Sequence, residues 1–256
     1  MTSTGQVRLE RATTADDGVA SLVLDNPSRR NAMGVAMYAA IPALIAEVND
    51  DPDVRVLVVR GEGTTFGAGS DITEFRAQRL GNAHVHYDEL ECRATEALAS
   101  CRVPVIAAIR GACMGGGLGI ALAADLRYAA NDTLFSVPPG RLGVGYPIDA
   151  INRLVVTIGR AAATDLLLTA RRFYADEALR IGLVHHVVAV DQLDNLVADR
   201  CATIASLAPM TLRAARAALA GRPDATALAD ACFHSADLVE GITAFEESRK
   251  PSFGDR

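Results

Sequence analysis

The stretch Arg110–Asp125, "RGACMGGGLGIALAAD", decides the reading of this chain. It follows "PVIAAI" (Pro104–Ile109), an apolar run with the look of a buried strand. Three consecutive glycines, Gly115–Gly117, then open a segment of small apolar residues that reads as a closely packed helix, with a further glycine, Gly119, inside it. Strand, glycine loop and helix in that order expose bare backbone to a ligand. Glycine lets the chain turn tightly, and a helix start adds unpaired N–H donors and partial positive charge. The same order occurs earlier. "RVLVVRG" (Arg55–Gly61) reads as a strand buried on both faces, and "TFGAGSDI" (Thr65–Ile72) follows it. Two such loops facing one point would form an oxyanion hole, in which two fixed N–H groups stabilise charge developing on one carbonyl oxygen. A glycine run also arises from strand–helix packing alone. It is not a dinucleotide fingerprint or a Walker loop, because no G-x-G-x-x-G opens an N-terminal βαβ unit and no Walker lysine is present.

Outward from these loops, "GVASLVLDNP" (Gly18–Pro27) reads as a strand closed by an Asn-Pro turn. Val35–Asn49 has helical periodicity, with Pro42 expected to distort it. A helix is expected over Asp71–Arg79, a mobile loop over Leu80–Tyr87 and a helix over Asp88–Ser100. "LRYAA" and "LFSV" read as short strands, Asp149–Gly159, Ala161–Thr169 and Asp176–Arg180 as helices, and "LVHHVV" as a last strand. Beyond it the pattern is helical over Gln192–Leu207, Met210–Ala220 and Ala225–Ser248. Strands alternating with helices and then giving way to helices predict an α/β fold: a core over 1–190 and a helical region over 191–256.

At 256 residues, half of them hydrophobic, the chain can fill a large core. A net charge of −6 and pI of about 5.4 argue against a nucleic-acid surface. The five cysteines show no metal-ligand spacing and read as reduced thiols of a cytoplasmic protein. "MTSTGQVRLERATTADDG" lacks the pattern of a secretory signal. The apolar stretch Ile106–Ala124 is interrupted by Arg110 and glycines, so no membrane span is expected.

The ordered segments "NPSRRNAM", "DPDVRVLVVRGEGTTFGAGSDITEF", "PVIAAIRGACMGGGLGIALAADLRYAANDTLFSVPPGRLG", "ARRFYADEALRIGLVHHVV" and "EGITAFEESRKPSF" cover most of the chain. Together they resemble the crotonase, or enoyl-CoA hydratase/isomerase, superfamily. The paired motifs F-x-A-G-x-D-I and G-x-x-x-G-G-G-x-x-x-A-x-x-x-D carry the resemblance. It implies a spiral of ββα units, a C-terminal helical region that drives assembly into a homotrimer or a dimer of trimers, and a coenzyme A thioester as substrate with no separate cofactor or metal. It also implies an oxyanion hole made by the N–H groups of Ser70 and Gly116. Arg29, Arg30, Ala32, Ala68, Asp71, Ile72 and Gly115 would line the CoA and acyl site, with the two arginines suited to phosphate or else lying in a solvated turn.

The resemblance also marks departures. Crotonase-type hydratases use two glutamates, one to activate water and one to deliver a proton. Their positions here are Gly119 and Pro139, and neither can move a proton. Pro147 stands where some isomerases carry an aspartate. An oxyanion hole without a strong base suits decarboxylation of a substituted malonyl-CoA, and "FSVPPGRLGVGYPIDAINRL" is similar to the corresponding stretch of methylmalonyl-CoA decarboxylases, with Tyr146 matching a carboxylate-placing tyrosine. Ser70 replaces a histidine of that group. A non-catalytic acyl-CoA binder is the third reading. Asp149 is either a second catalytic candidate or a helix-start charge, and Arg141 either a carboxylate partner or a surface residue. Asp71 is expected to cap the following helix. His84, His86 and Tyr87 either cover the acyl pocket or are exposed in the loop, and His185 and His186 are read as structural. Phe245, Arg249 and Lys250 lie in the region that in relatives meets a neighbouring subunit's CoA.

Overall fold

Apolar runs separated by helical segments build a layered α/β structure in the computed structural model, which describes residues 5–11 and 18–254. Of the amino-terminal stretch read for a secretory signal, residues 1–4 and 12–17 lie outside the described residues. An antiparallel pair, β1 (Gln6–Arg11) and β2 (Val19–Asp25), opens the chain. α1 (Val35–Asp50) then returns the chain so that β3 (Val56–Gly61) lies parallel to β2. The short α2 (Phe75–Gln78) and longer α3 (Ala83–Ala99) precede β4 (Val105–Ile109), parallel to β3. The glycine stretch forms β5 (Ala112–Met114) and α4 (Gly115–Ala123), and β6 (Leu126–Ala130) then pairs with β4. β7 (Leu134–Ser136), α5 (Ile148–Thr169), β8 (Arg172–Tyr174), α6 (Ala175–Arg180) and β9 (His186–Val188) follow. The chain closes with α7 (Leu193–Ala205), α8 (Pro209–Leu219), α9 (Ala225–Cys232) and α10 (Ala236–Glu246).

The strands make a six-stranded sheet of order β1-β2-β3-β4-β6-β9 and a three-stranded sheet of order β5-β7-β8. Strand periodicity sorts the core into two layers. Leu57 and Val59 of β3, with Val105, Ala107 and Ile109 of β4, pack toward α1, α3 and α4. Val56, Val58, Ile106 and Ala108 pack on the other face with Leu193, Val197 and Cys201 of α7. Double-sided burial is why these strands read as unbroken apolar runs.

Several expectations are corrected. Leu80–Tyr87 is not a loop, because α3 starts at Ala83. Its burial falls at Tyr87, Leu90, Glu91, Ala94 and Leu98, a helical stripe that a polar opening turn hides. Tyr87 sets its ring edge-on to Tyr38 and Phe75, at 5.8 and 6.0 Å. The helix expected over Asp71–Arg79 shrinks to Phe75–Gln78. Asp71 caps no helix: its carboxylate accepts hydrogen bonds from the Thr73 N–H and hydroxyl and from Arg29, which holds a tight turn instead. The helix expected over Ala225–Ser248 is two helices, because the Ser235 hydroxyl accepts from Leu238 N–H (3.1 Å) and starts α10 afresh. α1 runs on through Pro42. The two segments expected after Pro147 meet at Gly159, whose φ of 76° breaks helical geometry within α5. β1, β5 and β8 were not expected. The last two are three residues each, too short to show a period.

No helix among the described residues is long and apolar enough to cross a membrane.

Candidate active site

Two glycine loops and one turn are stitched into a single backbone platform. Gly67 N–H donates to Ala112 O (2.9 Å) and Met114 N–H to Gly67 O (3.0 Å), joining the first loop to β5. On its other side Met33 N–H donates to Gly69 O (2.7 Å), Asp71 N–H to Met33 O (2.8 Å) and Ala68 N–H to Arg30 O (2.9 Å). Asn31, fully buried and left-handed at φ 55°, locks the turn. Its amide donates to the carbonyls of Glu62 (2.9 Å) and Thr65 (2.6 Å), and its Oδ1 accepts from Asn26 N–H (2.9 Å).

The N–H groups of Ser70 and Gly116 are among those of this platform that have no hydrogen-bond partner among the described residues. They belong to adjacent loops, since a Cβ on Gly69 would stand 4.0 Å from Gly116 N. Gly69 itself sits at φ 110°, which demands glycine. At Gly116 the demand is space: a Cβ would come within 2.1 Å of Tyr38 Oη and 2.9 Å of Ser70 Oγ. Tyr38 is fully buried and its hydroxyl lies 3.4 Å from the Ser70 hydroxyl; burial, with Glu91 nearby, holds it well above the usual phenol range.

The platform floors a pocket of about 100 Å³ lined by Ala68, Gly69, Ser70, Gly115 and Gly116 below and by Phe75, Glu91, Pro139 and Tyr146 around it. An outer cleft of about 1160 Å³ shares Ile72, Phe75, Arg79, Leu142, Val144 and Tyr146 with it, so the two spaces adjoin. A small polar-floored chamber opening from a long cleft can take a carbonyl group at its floor and a larger attached group outside.

The acid of this chamber was not found from the sequence. Glu91 of α3 is 5% exposed, and its Oε2 accepts no hydrogen bond among the described residues. Arg79 Nη2 stands 3.6 Å from it while pairing with Asp88 at 2.8 Å, and the guanidinium lies over the Tyr87 ring at 4.5 Å. Burial raises the Glu91 carboxyl above the usual carboxylate range; Arg79 opposes this and Asp88 adds to it. The signal was available, because Glu91 is the one acid on the buried stripe Tyr87, Leu90, Ala94, Leu98 of α3.

Ala68, Ser70, Ile72, Gly115, Gly116 and Tyr146 of the expected site residues line the pocket. Tyr146 donates a long hydrogen bond, 3.3 Å, to Gly115 O, and burial raises its phenol above the usual range. Ala32 is buried in the platform turn. Arg29 is tied to Asp71 at 2.9 Å, and this pairing with the Thr73 bonds outweighs burial to lower the Asp71 carboxyl. Arg30 is exposed beside it, in the left-handed region.

Asp149 lies in the first turn of α5. It lines the outer cleft but not the small pocket, and accepts from the Cys92 thiol at 3.6 Å. Burial, then Glu96 and Asp149, push that thiol up to about 11. Arg141 donates to Ala170 O (3.0 Å). His84 and Val85 line the outer cleft from α3. His185 Nδ1 lies 3.1 Å from Arg127 N. Arg249 is paired with Glu240 and Glu247, and Phe245 is exposed.

The sequence profile of the enoyl-CoA hydratase/isomerase family matches residues 14–256. A peroxisomal Δ(3,5)-Δ(2,4)-dienoyl-CoA isomerase from Arabidopsis thaliana is 32% identical over 93% of each chain. A crotonyl-CoA hydratase from Syntrophomonas wolfei is also 32% identical, over 93% of this chain and 95% of its own. The crystal structure of an enoyl-CoA hydratase/carnithine racemase from Magnetospirillum magneticum superposes with a TM-score of 0.92 at 32% identity, covering 99% of this chain and 97% of the other. Likeness of this extent, in both sequence and fold, makes the chain a member of the enoyl-CoA hydratase/isomerase family of enzymes.

Proposed function

We propose that this enzyme binds an acyl-CoA and stabilises the enolate of its thioester, with the carbonyl oxygen held by the N–H groups of Ser70 and Gly116. The observation that carries this reading is that Ser70 and Gly116, on adjacent loops of one platform, both line one pocket with their N–H groups unpartnered. A ligand that covers this floor desolvates both N–H groups, so a polar atom of that ligand is their natural partner. The outer cleft, whose wall mixes Arg76 and Arg79 with Asp88, Glu89 and Asp149, has room for the larger part of the thioester. Arg29 and Arg30, at the platform's edge, remain the phosphate-binding candidates.

Gly119 and Pro139 offer no acid or base, so hydration with two flanking carboxylates does not fit the chain. Incubation with a panel of enoyl-, malonyl- and hydroxyacyl-CoAs, followed by mass analysis, tests the reading. Conversion of a thioester, or exchange of its α-protons, is the expected result, and efficient hydration of crotonyl-CoA at about 10³ s⁻¹ would overturn the doubt about water addition.

Decarboxylation of a substituted malonyl-CoA is a second reading, favoured by the place of the Tyr146 hydroxyl in the pocket wall. It requires CO₂ release that falls steeply in Tyr146→Phe. If proton transfer dominates instead, losing this long hydrogen bond costs about 0.5–1.5 kcal/mol, roughly tenfold at most. Thioester binding without any product would leave the chain a binder.

Phe233, Val239, Ile242 and Phe245 of the α9–α10 region are half or more exposed. A patch of this kind supports assembly into a homotrimer or a dimer of trimers, which light scattering measures. All cysteines are free thiols, in keeping with a reducing, cytoplasmic setting.

A further inference from the structure

We propose that Glu91 of α3 is the group that moves the substrate's proton in this pocket, standing in space where α4 carries no side chain at Gly119. The proposal rests on the reading of Ser70 and Gly116 as carbonyl-oxygen donors and adds to it the partner that enolate chemistry needs.

Three observations converge on Glu91. Gly119 follows Gly116 by three residues, so both lie on one face of α4, one turn apart. A Cβ at Gly119 would sit 3.9 Å from Glu91 Oε1, an ordinary contact distance. The carboxyl therefore reaches from α3 the ground that a side chain from α4 would cover. Glu91 lines the same small pocket as Ser70 and Gly116.

The second observation is the state of the carboxyl. A buried structural carboxylate is normally paired and saturated with hydrogen bonds. Glu91 has an oxygen with no hydrogen bond, and its nearest cation, Arg79, makes its closer contact with Asp88. The charged and titratable groups around it are Arg79 from the connection to α3, Asp88 and Tyr87 on its own helix, Tyr38 from α1 and Tyr146 ahead of α5. Burial raises the carboxyl above the usual carboxylate range, with Arg79 opposing and Asp88 adding to the rise, and a carboxyl so raised is better able both to take and to return a proton.

The third observation is that Glu91 is the one carboxylate among the residues that line the small pocket. Pro139, across the pocket, has no proton to give. Water addition needs a base and an acid on opposite sides, whereas moving a proton between two carbons needs one group. Carboxylate Glu91 takes a proton from the carbon beside the thioester carbonyl. The C–H electron pair becomes the enolate double bond, and the carbonyl pair moves onto the oxygen held by Ser70 and Gly116. The resulting carboxylic acid then returns its proton to the same carbon or, in a β,γ-unsaturated chain, to the γ-carbon, shifting the double bond into conjugation. The substrate class is an acyl thioester with an acidic α-position and a nearby double bond.

Two probes test this: butyryl-CoA in D₂O, read by deuterium uptake, and 3-butenoyl-CoA, read by conversion to crotonyl-CoA. Glu91→Gln is expected to slow both by about 10²–10⁴-fold while thioester binding, measured by calorimetry, stays within a few-fold. The wild-type rate rises with pH through a midpoint above the usual carboxylate range, and the Gln variant loses that limb. Glu91→Asp keeps the limb at a reduced rate. If wild type is active and Glu91→Gln matches it, the proposal falls while the enolate reading stands. If Glu91→Gln is inactive but Gly116→Ala is not, the oxygen-donor reading falls and Glu91 stays. No exchange or conversion by the wild type on either probe overturns the Glu91 proposal, and the enolate reading then stands or falls on CO₂ release from the malonyl-CoA members of the panel.

Discussion

The floor and the wall of the pocket are built on opposite terms. The floor is backbone: Ala68–Asp71 and Met114–Gly117, fastened by ladder-like hydrogen bonds to Arg30–Met33 and β5, with side chains removed wherever one would intrude. The wall from α3 is side chain, with Tyr87, Glu91 and Arg79 packed together behind an exposed first turn. A backbone donor is fixed by the fold and tolerates almost no change in sequence. A side-chain acid can be supplied by any element whose helix face reaches the same volume. On the roles proposed above, the contrast teaches that the binding half of such a site is tied to backbone motifs, while its proton-moving half is free to migrate.

The contrast breaks most sharply at Gly116. Gly116→Ala puts a methyl group against the Tyr38 and Ser70 hydroxyls, and turnover is expected to fall by about 10²–10³-fold, the scale of losing one oxyanion donor. Retention of activity would mean that the floor does not hold the oxygen. Asn31→Ala sharpens the same point away from the ligand. It leaves the Asn26 N–H and the Glu62 and Thr65 carbonyls without their buried partner, and destabilises the protein by about 1–3 kcal/mol in denaturant unfolding.

The wall responds in the other direction. Glu91 binds its proton more tightly folded than unfolded, so the stability it contributes is full below the ordinary carboxylate range and declines as pH rises toward its raised value. Glu91→Gln is therefore expected to match the wild type in melting temperature at low pH and to exceed it at neutral pH. A variant that loses activity while gaining stability is the signature of a group kept for chemistry. Equal melting curves at every pH would show that the carboxyl is not strained by burial.

Much of the fold was legible because its signals are local. β3 and β4 are apolar on both faces, and Gly159 interrupts α5 where a glycine stands between two amphipathic runs. The two glycine loops could be read because each needs glycine at a position where a Cβ or an ordinary φ fails. α3 could not be placed correctly, because its first turn is polar and its burial depends on Phe75 and Tyr38, which are remote or weakly patterned. Asp71 looked like a cap because aspartate before a helical run usually is one. Its partners, Thr73 and Arg29, come from a turn and from a segment 42 residues away. Glu91 went unread for the same reason: its meaning depends on Gly119, which lies on another helix.

α4 is buried from Gly116 to Ala123. A helix enclosed on every side has no flank from which to fray, so its amides exchange with solvent only when the domain opens as a whole. The segment that carries Gly116 is thus among the last to unfold, and on the proposed reading a bound thioester adds its binding free energy to global stability instead of tightening one loop.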